Sequence, residues 1–254
     1  AKGARAAWEN SGGAAEEIDL SVAASVSGES ISPSVSCMMQ NLLGLSCMTM
    51  DINAACSAFD FLLETAAGFF ARGKVKKVLV IGAERLSRLL DWNDRGTAVI
   101  FGDGAGAVVL GEDSSGKSIF RLHSDSGSAQ ALTLGKENAV HMNGREIFSF
   151  AVRKVPESVK EVLEESETAK EQVKYFILHQ ANARMIESIA KRLDVPVEKF
   201  PMNLETHGNT SAASIPVLLD ELNRQNRLIP GDVLILSGFG GGLSWGSALL
   251  EWHK

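Results

Sequence analysis

The chain has 254 residues, 45% of them apolar and 22% charged, with a formal net charge of −6. These are values of an ordinary globular protein, and the acidic balance excludes a general nucleic-acid binder, which needs a basic surplus facing phosphates. No apolar run approaches the ~18 residues that suggest a membrane span, and the opening AKGARAAWENSGG lacks the apolar core of a secretory leader, so a cytoplasmic protein without membrane contact is expected.

In chain order, the spacing predicts a helix over 4–10, a strand over 18–24, a helix over 33–43 and a strand over 48–54. A long helix over 57–72, a strand over 78–82 and the closing segment GDGAGAVVLGE follow. The same order then repeats. A long helix over 146–165 precedes a strand over 175–179, a helix over 183–193 and a strand near 201–205. A helix over 211–223, a strand over 233–237 and the closing GFGGGLSWGSALLEW complete the second unit.

Strands alternating with helices at this spacing predict α/β units around a mainly parallel sheet. The runs KVLVIGA and DVLILSG are almost wholly apolar, as strands covered on both faces are. The helices over 57–72 and 211–223 are short of charge at their starts and are expected to lie deep. A repeat of this kind divides the chain into halves, 1–115 and 116–254, related by a pseudo-twofold axis that sets the helix start at Cys56 opposite the helix start at Asn209. Strand-like stretches over 118–123 and 140–143 have no counterpart in the first half, so a front segment is expected to be missing.

Cys37, Cys47 and Cys56 show no CxxC spacing, which argues against a zinc site and a disulfide framework. Cys37 and Cys47 read as small buried apolar residues. Cys56 stands between a strand and a helix. A thiolate there faces free backbone N–H groups and the positive end of the helix, which predicts a lowered pKa and a nucleophile; a packed core cysteine fits the same position. His179 closes the strand YFILH, where a structural hydrogen-bonding role is the plain alternative. Asn209, in THGNTSAAS, fits a turn or helix N-cap as well as a ligand. All three are expected at the C-terminal ends of strands, the usual place for a site in a parallel sheet. Gly240, Gly241 and Gly242 let the backbone approach a ligand and offer N–H groups to an oxyanion. FGDGAGA looks like a dinucleotide fingerprint but leads into the strand-like VVLGED, so a nucleotide site is rejected.

The segments DINAACSAF, DRGTAVIFGDGAGAVVL, LHQANARMIESIAKRL, HGNTSAASIP and SGFGGGLSWGSALLEW, in this order, resemble the β-ketoacyl-acyl-carrier-protein synthase III family. The asparagine of HGNTSAAS separates that group from elongating synthases, which place a second histidine there. The resemblance implies a duplicated thiolase-like α/β fold in αβαβα layers and a homodimer. It also implies transfer of an acyl group from acyl-CoA to Cys56, then decarboxylative Claisen condensation with malonyl-acyl carrier protein. It makes Cys56, His179 and Asn209 catalytic, with the N–H groups of Cys56 and Gly241 as the oxyanion hole. Phe239 is placed by the decarboxylating carboxylate, Arg95 at the nucleotide end of coenzyme A and Asn182 near the pantetheine arm. Arg184, Lys191 and Arg192 are the expected contacts for acyl carrier protein; a solvated helix face is the alternative for the last two. Coenzyme A thioester enters as substrate, and neither cofactor nor metal is expected.

Two departures from the family are evident. The N-terminal strand, and the segment whose tryptophan and arginine sandwich the adenine, are absent, and Trp8 lies too far along to stand in. The loop near Asn138 is shortened. Residues 31–34 are expected to reach across the dimer and to shape the primer pocket. The competing readings are a related condensing enzyme or acyltransferase of secondary metabolism, and a non-catalytic partner subunit, which the presence of Cys56 disfavours.

Overall fold

The computed structural model describes residues 1–112, 117–134 and 139–253. The boundary between 115 and 116 and most of the loop near Asn138 lie outside the described residues.

In the first half, α1 (Lys2–Asn10), β1 (Leu20–Ala24), α2 (Val35–Leu43) and β2 (Met48–Asp51) lead to α3 (Ala58–Ala71), β3 (Lys77–Arg85) and β4 (Asp103–Gly111). The second half opens with β5 (Ser118–Ser124), β6 (Leu132–Leu134) and β7 (Val140–Met142). It continues with α4 (Gly144–Glu165), β8 (Val173–Leu178), α5 (Ala183–Leu193) and the single turn α6 (Leu204–His207). It closes with α7 (Ser214–Arg224), β9 (Val233–Gly240) and β10 (Ser244–Glu251).

Two four-stranded sheets result, in the orders β2-β1-β3-β4 and β5-β10-β9-β8, with β6 and β7 as a separate pair. Pairs β1–β2, β1–β3 and β8–β9 are parallel, while β3–β4, β9–β10 and β5–β10 are antiparallel. The expectation of a mainly parallel sheet is therefore corrected: each glycine-rich closing segment folds back as an antiparallel strand. Helices α3 and α7 lie between the sheets, α1 and α2 cover the far face of one, and α4 and α5 cover the far face of the other. This is the five-layered αβαβα arrangement.

Side-chain alternation explains the layering. On β3, Val78 and Val80 face the central helices while Leu79 and Ile81 face the outer ones. On β9, Leu234 and Leu236 point to the centre and Ile235 to α4 and α5. A strand buried on both faces has no polar side, which is why these runs are continuous in the sequence. Each fully buried Leu or Ile contributes roughly 1.5–3 kcal/mol through removal from water. Helix starts are marked chemically. Ser34 Oγ accepts from Cys37 N at 3.2 Å, and Asn143 Oδ1 from Glu146 N at 3.3 Å.

The strand expected near 201–205 does not form. Pro201 has no N–H for a ladder, and the Asn203 N–H donates to Gln180 Oε1 at 3.2 Å. Phe200 is held by stacking on Phe176, with ring centroids 4.9 Å apart. Cys37 is exposed and Cys47 half-buried, so neither is the buried apolar residue expected.

Asp60, on α3, is fully buried. Gly238 and Gly246 are cross-strand partners on β9 and β10, and together they leave a notch for its side chain. A Cβ on Gly238 would lie 2.7 Å from Asp60 Oδ2, so only glycine fits. Gly238 N–H donates to Oδ2, and Oδ1 has no partner among the described residues. Burial pushes the carboxyl up to about 8 against the pull of that N–H. The folded state thus keeps a proton that the unfolded chain loses near pH 4. The stability this represents is fully present below that pH and is lost as pH rises to about 8, at up to ~1.4 kcal/mol per unit. Asp60→Asn keeps the acceptor and removes the titration. Its stability relative to the parent, from denaturant unfolding at a series of pH values, should rise between pH 4 and 8 and level off above; a constant difference contradicts this.

Candidate active site

Two turns of the same design meet between the sheets. Asn53 Oδ1 accepts from Ala55 N at 3.2 Å, and Asn209 Oδ1 accepts from Ser211 N at 2.9 Å. Ala55 and Ser211 have left-handed φ values of +48° and +49°, a conformation costing on the order of 1–3 kcal/mol outside glycine. A short 3-10 turn follows in each case, Ala55–Ser57 before α3 and Ser211–Ala213 before α7, and the two turns pack together. The repeat therefore pairs Asn53 with Asn209 and Cys56 with Ala212. It does not set Cys56 opposite Asn209 as the sequence suggested.

Cys56 sits in the first of these turns, buried. Gly240, on β9, lies against it: a Cβ there would be 2.7 Å from Cys56 Cβ and 3.1 Å from Sγ. The thiol departs from expectation. Burial pushes it up to about 11; the Ser211 hydroxyl pulls it down and the Glu84 charge adds to the rise. Desolvation outweighs the turn's N–H groups, so the resting side chain is a thiol.

His179 directly follows β8 and is docked onto β9 by its N–H, which donates to Ser237 O at 2.8 Å. It is buried, and desolvation lowers its pKa to about 3, so the ring is neutral. Nδ1 lies 2.8 Å from Ser214 Oγ, and among the described residues no partner holds Nε2. Phe239 meets the ring edge-on, with centroids 5.1 Å apart. Adjacent β9 residues thus touch the two groups, Phe239 against His179 and Gly240 against Cys56.

Asn209 does not end a strand, contrary to expectation. A single bridge to Phe101 holds it, with Asn209 N–H donating to Ile100 O and Gly102 N–H to Asn209 O, each at 2.9 Å. Because Oδ1 is taken by Ser211 N–H, the amide orientation is set, and no acceptor holds Nδ2 among the described residues. The turn reading and the ligand reading of this asparagine are compatible: one end caps the turn and the other is held by none of the described residues.

Gly241 follows Gly240 beside Ala55 and the carbonyl of Leu132. Arg95 is exposed on the segment before Phe101, in a turn bound by Asp94, whose carboxylate takes the Gly96 N–H and the Thr97 hydroxyl. Asn182 N-caps α5 by accepting from Met185 N at 3.4 Å, a structural task that sequence reading had not given it. Arg184 and Lys191 are exposed, two turns apart on one face of α5. Arg192 is also exposed and lines a cleft of about 380 Å³ with Arg153 and Lys154 of α4.

Sequence reading missed Glu84 and Ser214. Glu84 is buried at the end of β3, accepting from Val26 N at 3.2 and 3.1 Å and from Ser27 Oγ at 2.5 Å. Burial raises its carboxyl while these donors lower it. An acid closing an otherwise apolar strand, VLVIGAE, was the available signal.

Comparison with known proteins gives concordant results. Residues 50–137 match the family model for 3-oxoacyl-[acyl-carrier-protein] synthase III, and residues 163–252 match the model for its C-terminal part. A β-ketoacyl-[acyl-carrier-protein] synthase III of Bacillus pumilus is 47% identical over 95% of this chain and 78% of its own length. One from Clostridium acetobutylicum is 44% identical over 100% of this chain and 83% of its own. The crystal structure of 3-oxoacyl-[acyl-carrier-protein] synthase III from Aquifex aeolicus superposes with a TM-score of 0.95 at 40% identity, covering 98% of this chain and 82% of that one.

Proposed function

Because the chain belongs to the β-ketoacyl-acyl-carrier-protein synthase III family, an acyltransferase family that initiates fatty-acid synthesis, we propose that Cys56, His179 and Asn209 carry out its condensation. In the first half-reaction the Cys56 sulfur attacks the thioester carbon of acyl-CoA. The C–S bond to coenzyme A breaks, and the thiol proton ends on the departing sulfur. The N–H groups of Cys56 and Gly241 receive the negative charge that builds on the carbonyl oxygen. In the second, the malonyl C–C bond to the carboxylate breaks, carbon dioxide leaves, and the electron pair forms an enolate. His179 Nε2 and Asn209 Nδ2 donate to its oxygen, with Phe239 beside the departing carboxylate. The enolate carbon attacks the acyl carbon, the C–S bond to Cys56 breaks, and the departing thiolate takes up a proton from solvent to restore the resting thiol.

What supports this reading is that, among the described residues, no partner holds His179 Nε2 or Asn209 Nδ2, while the turns of Cys56 and Asn209 pack together and His179 and Cys56 meet adjacent residues of β9. A neutral histidine and an amide are donors without net charge, which suits an oxygen whose charge appears only in the transition state. This chemistry needs no resident cofactor.

Further parts of the reading follow from surface features. Arg95 and Asn182 bind the coenzyme A or carrier arm, and Arg184, Lys191 and Arg192 receive the acidic acyl carrier protein. A homodimer forms along the free edge of β2, supported by exposed Ile31, Leu42 and Met48 at 104%, 61% and 46% of full exposure. The site of action is the cytoplasm; among the described residues no helix is long and apolar enough to cross a membrane.

A polyketide-priming β-ketosynthase is also similar, with a TM-score of 0.94 at 31% identity, so primer choice is the point to measure. With a panel of acyl-CoA primers and malonyl-acyl carrier protein, the expected product is two carbons longer than the primer, with one carbon dioxide released per product. Transfer of the acyl group without carbon dioxide would overturn condensation in favour of simple acyl transfer.

A further inference from the structure

Ser214 is the first residue of α7 and is buried, and its side chain faces a choice. Its hydroxyl oxygen lies 2.8 Å from His179 Nδ1 and 2.8 Å from Ser211 O, and Gln180 N–H donates to it at 3.4 Å. A hydroxyl has one proton and two acceptor positions. Gln180 N–H occupies one acceptor position, because an amide can only donate. The single proton then goes either to Ser211 O or to His179 Nδ1.

The choice decides the histidine tautomer. A buried neutral imidazole carries one N–H. If the Ser214 proton points at Ser211 O, the ring must donate from Nδ1, and Nε2 is a bare lone pair. If it points at Nδ1, the ring proton resides on Nε2. Only the second state offers a donor to a substrate oxygen. The Ser211 carbonyl does not depend on the hydroxyl, because the Ser214 backbone N–H already donates to it at the end of the 3-10 turn. Turning the hydroxyl toward His179 therefore leaves no buried carbonyl without a partner.

The geometry points to Ser214 as the positioning residue that holds His179 in its Nε2–H form for malonyl decarboxylation. This rests on the reading of His179 as a donor to the thioester oxygen. It separates the two half-reactions. Acylation of Cys56 uses backbone N–H groups and does not pass through His179, so it is independent of Ser214. Decarboxylation depends on the Nε2 proton and so on the serine.

The test uses full-length protein and the variants Ser214→Ala, Ser214→Thr and His179→Ala. Nitrogen NMR of histidine-labelled parent should show the His179 proton on Nε2, and Ser214→Ala should move it wholly or partly to Nδ1. In Ser214→Ala, kcat for malonyl decarboxylation should fall about 10- to 100-fold, the range typical for losing a histidine's orienting partner, with KM and the rate of Cys56 acylation little changed. Ser214→Thr keeps the hydroxyl and should restore most of the rate, which a purely structural role would not predict. A parent with its proton on Nδ1, or Ser214→Ala with parental tautomer and rate, overturns the assignment of Ser214. His179→Ala with undiminished decarboxylation overturns instead the underlying reading of His179.

Discussion

Cys56→Ala is expected to eliminate the acyl adduct on the protein and to lower condensation by more than about 10⁴-fold. The size follows from what is lost. Covalent catalysis divides one difficult acyl transfer into two easier ones, and without the sulfur the first intermediate cannot form. Nucleophile deletions in enzymes of this kind leave only the residue of binding and oxyanion stabilisation. The next residue offers no substitute. Ser57, the adjacent hydroxyl, is buried and committed to Ala54 O at 2.7 Å and to Ser244 Oγ at 2.8 Å. The replacement is mild for the fold, since alanine occupies the equivalent position of the other turn, Ala212. Intact-mass analysis after exposure to acyl-CoA, with circular dichroism to show retained structure, reads this result. An adduct persisting in Cys56→Ala contradicts it.

His179→Ala and Asn209→Ala should each lower malonyl decarboxylation by about 10²- to 10³-fold while the Cys56 adduct still forms. Removing one donor from a buried oxyanion site typically costs that much. The two residues serve one oxygen, so the double variant should lose less than the product of the single effects. Asn209→Ala carries a second consequence, since Oδ1 also holds Ser211 N–H in its left-handed turn. Asn209→Asp keeps that cap but replaces the amide donors with a carboxylate. It should therefore retain stability and lose decarboxylation, which separates the two tasks. Labelled carbon dioxide release from malonyl-acyl carrier protein measures the rate. Full activity in Asn209→Asp would show that only the turn matters.

Much of this was legible in the sequence because periodicity reports burial directly. The runs around Val78–Val80 and Leu234–Leu236 named the doubly covered strands, and the starts of α3 and α7, short of charge with Asp60 as the exception, pointed to depth. Legibility failed where a single group decides the local structure. A strand near 201–205 is plausible by composition, but Pro201 and the Gln180 side chain redirect its backbone. A cysteine before a helix suggests a lowered pKa, yet the depth of burial, which composition does not reveal, reverses the direction. Asp60 and Glu84 drew no assignment from the sequence, and the fold places both inside, each received by backbone N–H groups. Ser214 was hidden for a different reason. It is 35 residues from His179, and only the packing of α7 beneath the end of β8 brings them together.

The repeat shows the same limit. It correctly paired the two halves, but placed Cys56 opposite Asn209, three residues from its true counterpart. The turns align through Asn53 and Asn209. One copy of the turn presents a sulfur and the other an amide, so a duplicated structural element supplies two different chemical groups where the two copies pack together.

The most direct measurement is intact mass before and after a two-step exposure, first to acetyl-CoA and then to malonyl-acyl carrier protein. The parent protein should gain one acetyl group, mapped to Cys56, and lose it in the second step. The His179→Ala/Asn209→Ala double variant should gain the same group and keep it. An adduct at any other residue, or a Cys56 adduct in the parent that malonyl-acyl carrier protein fails to discharge, would contradict the account.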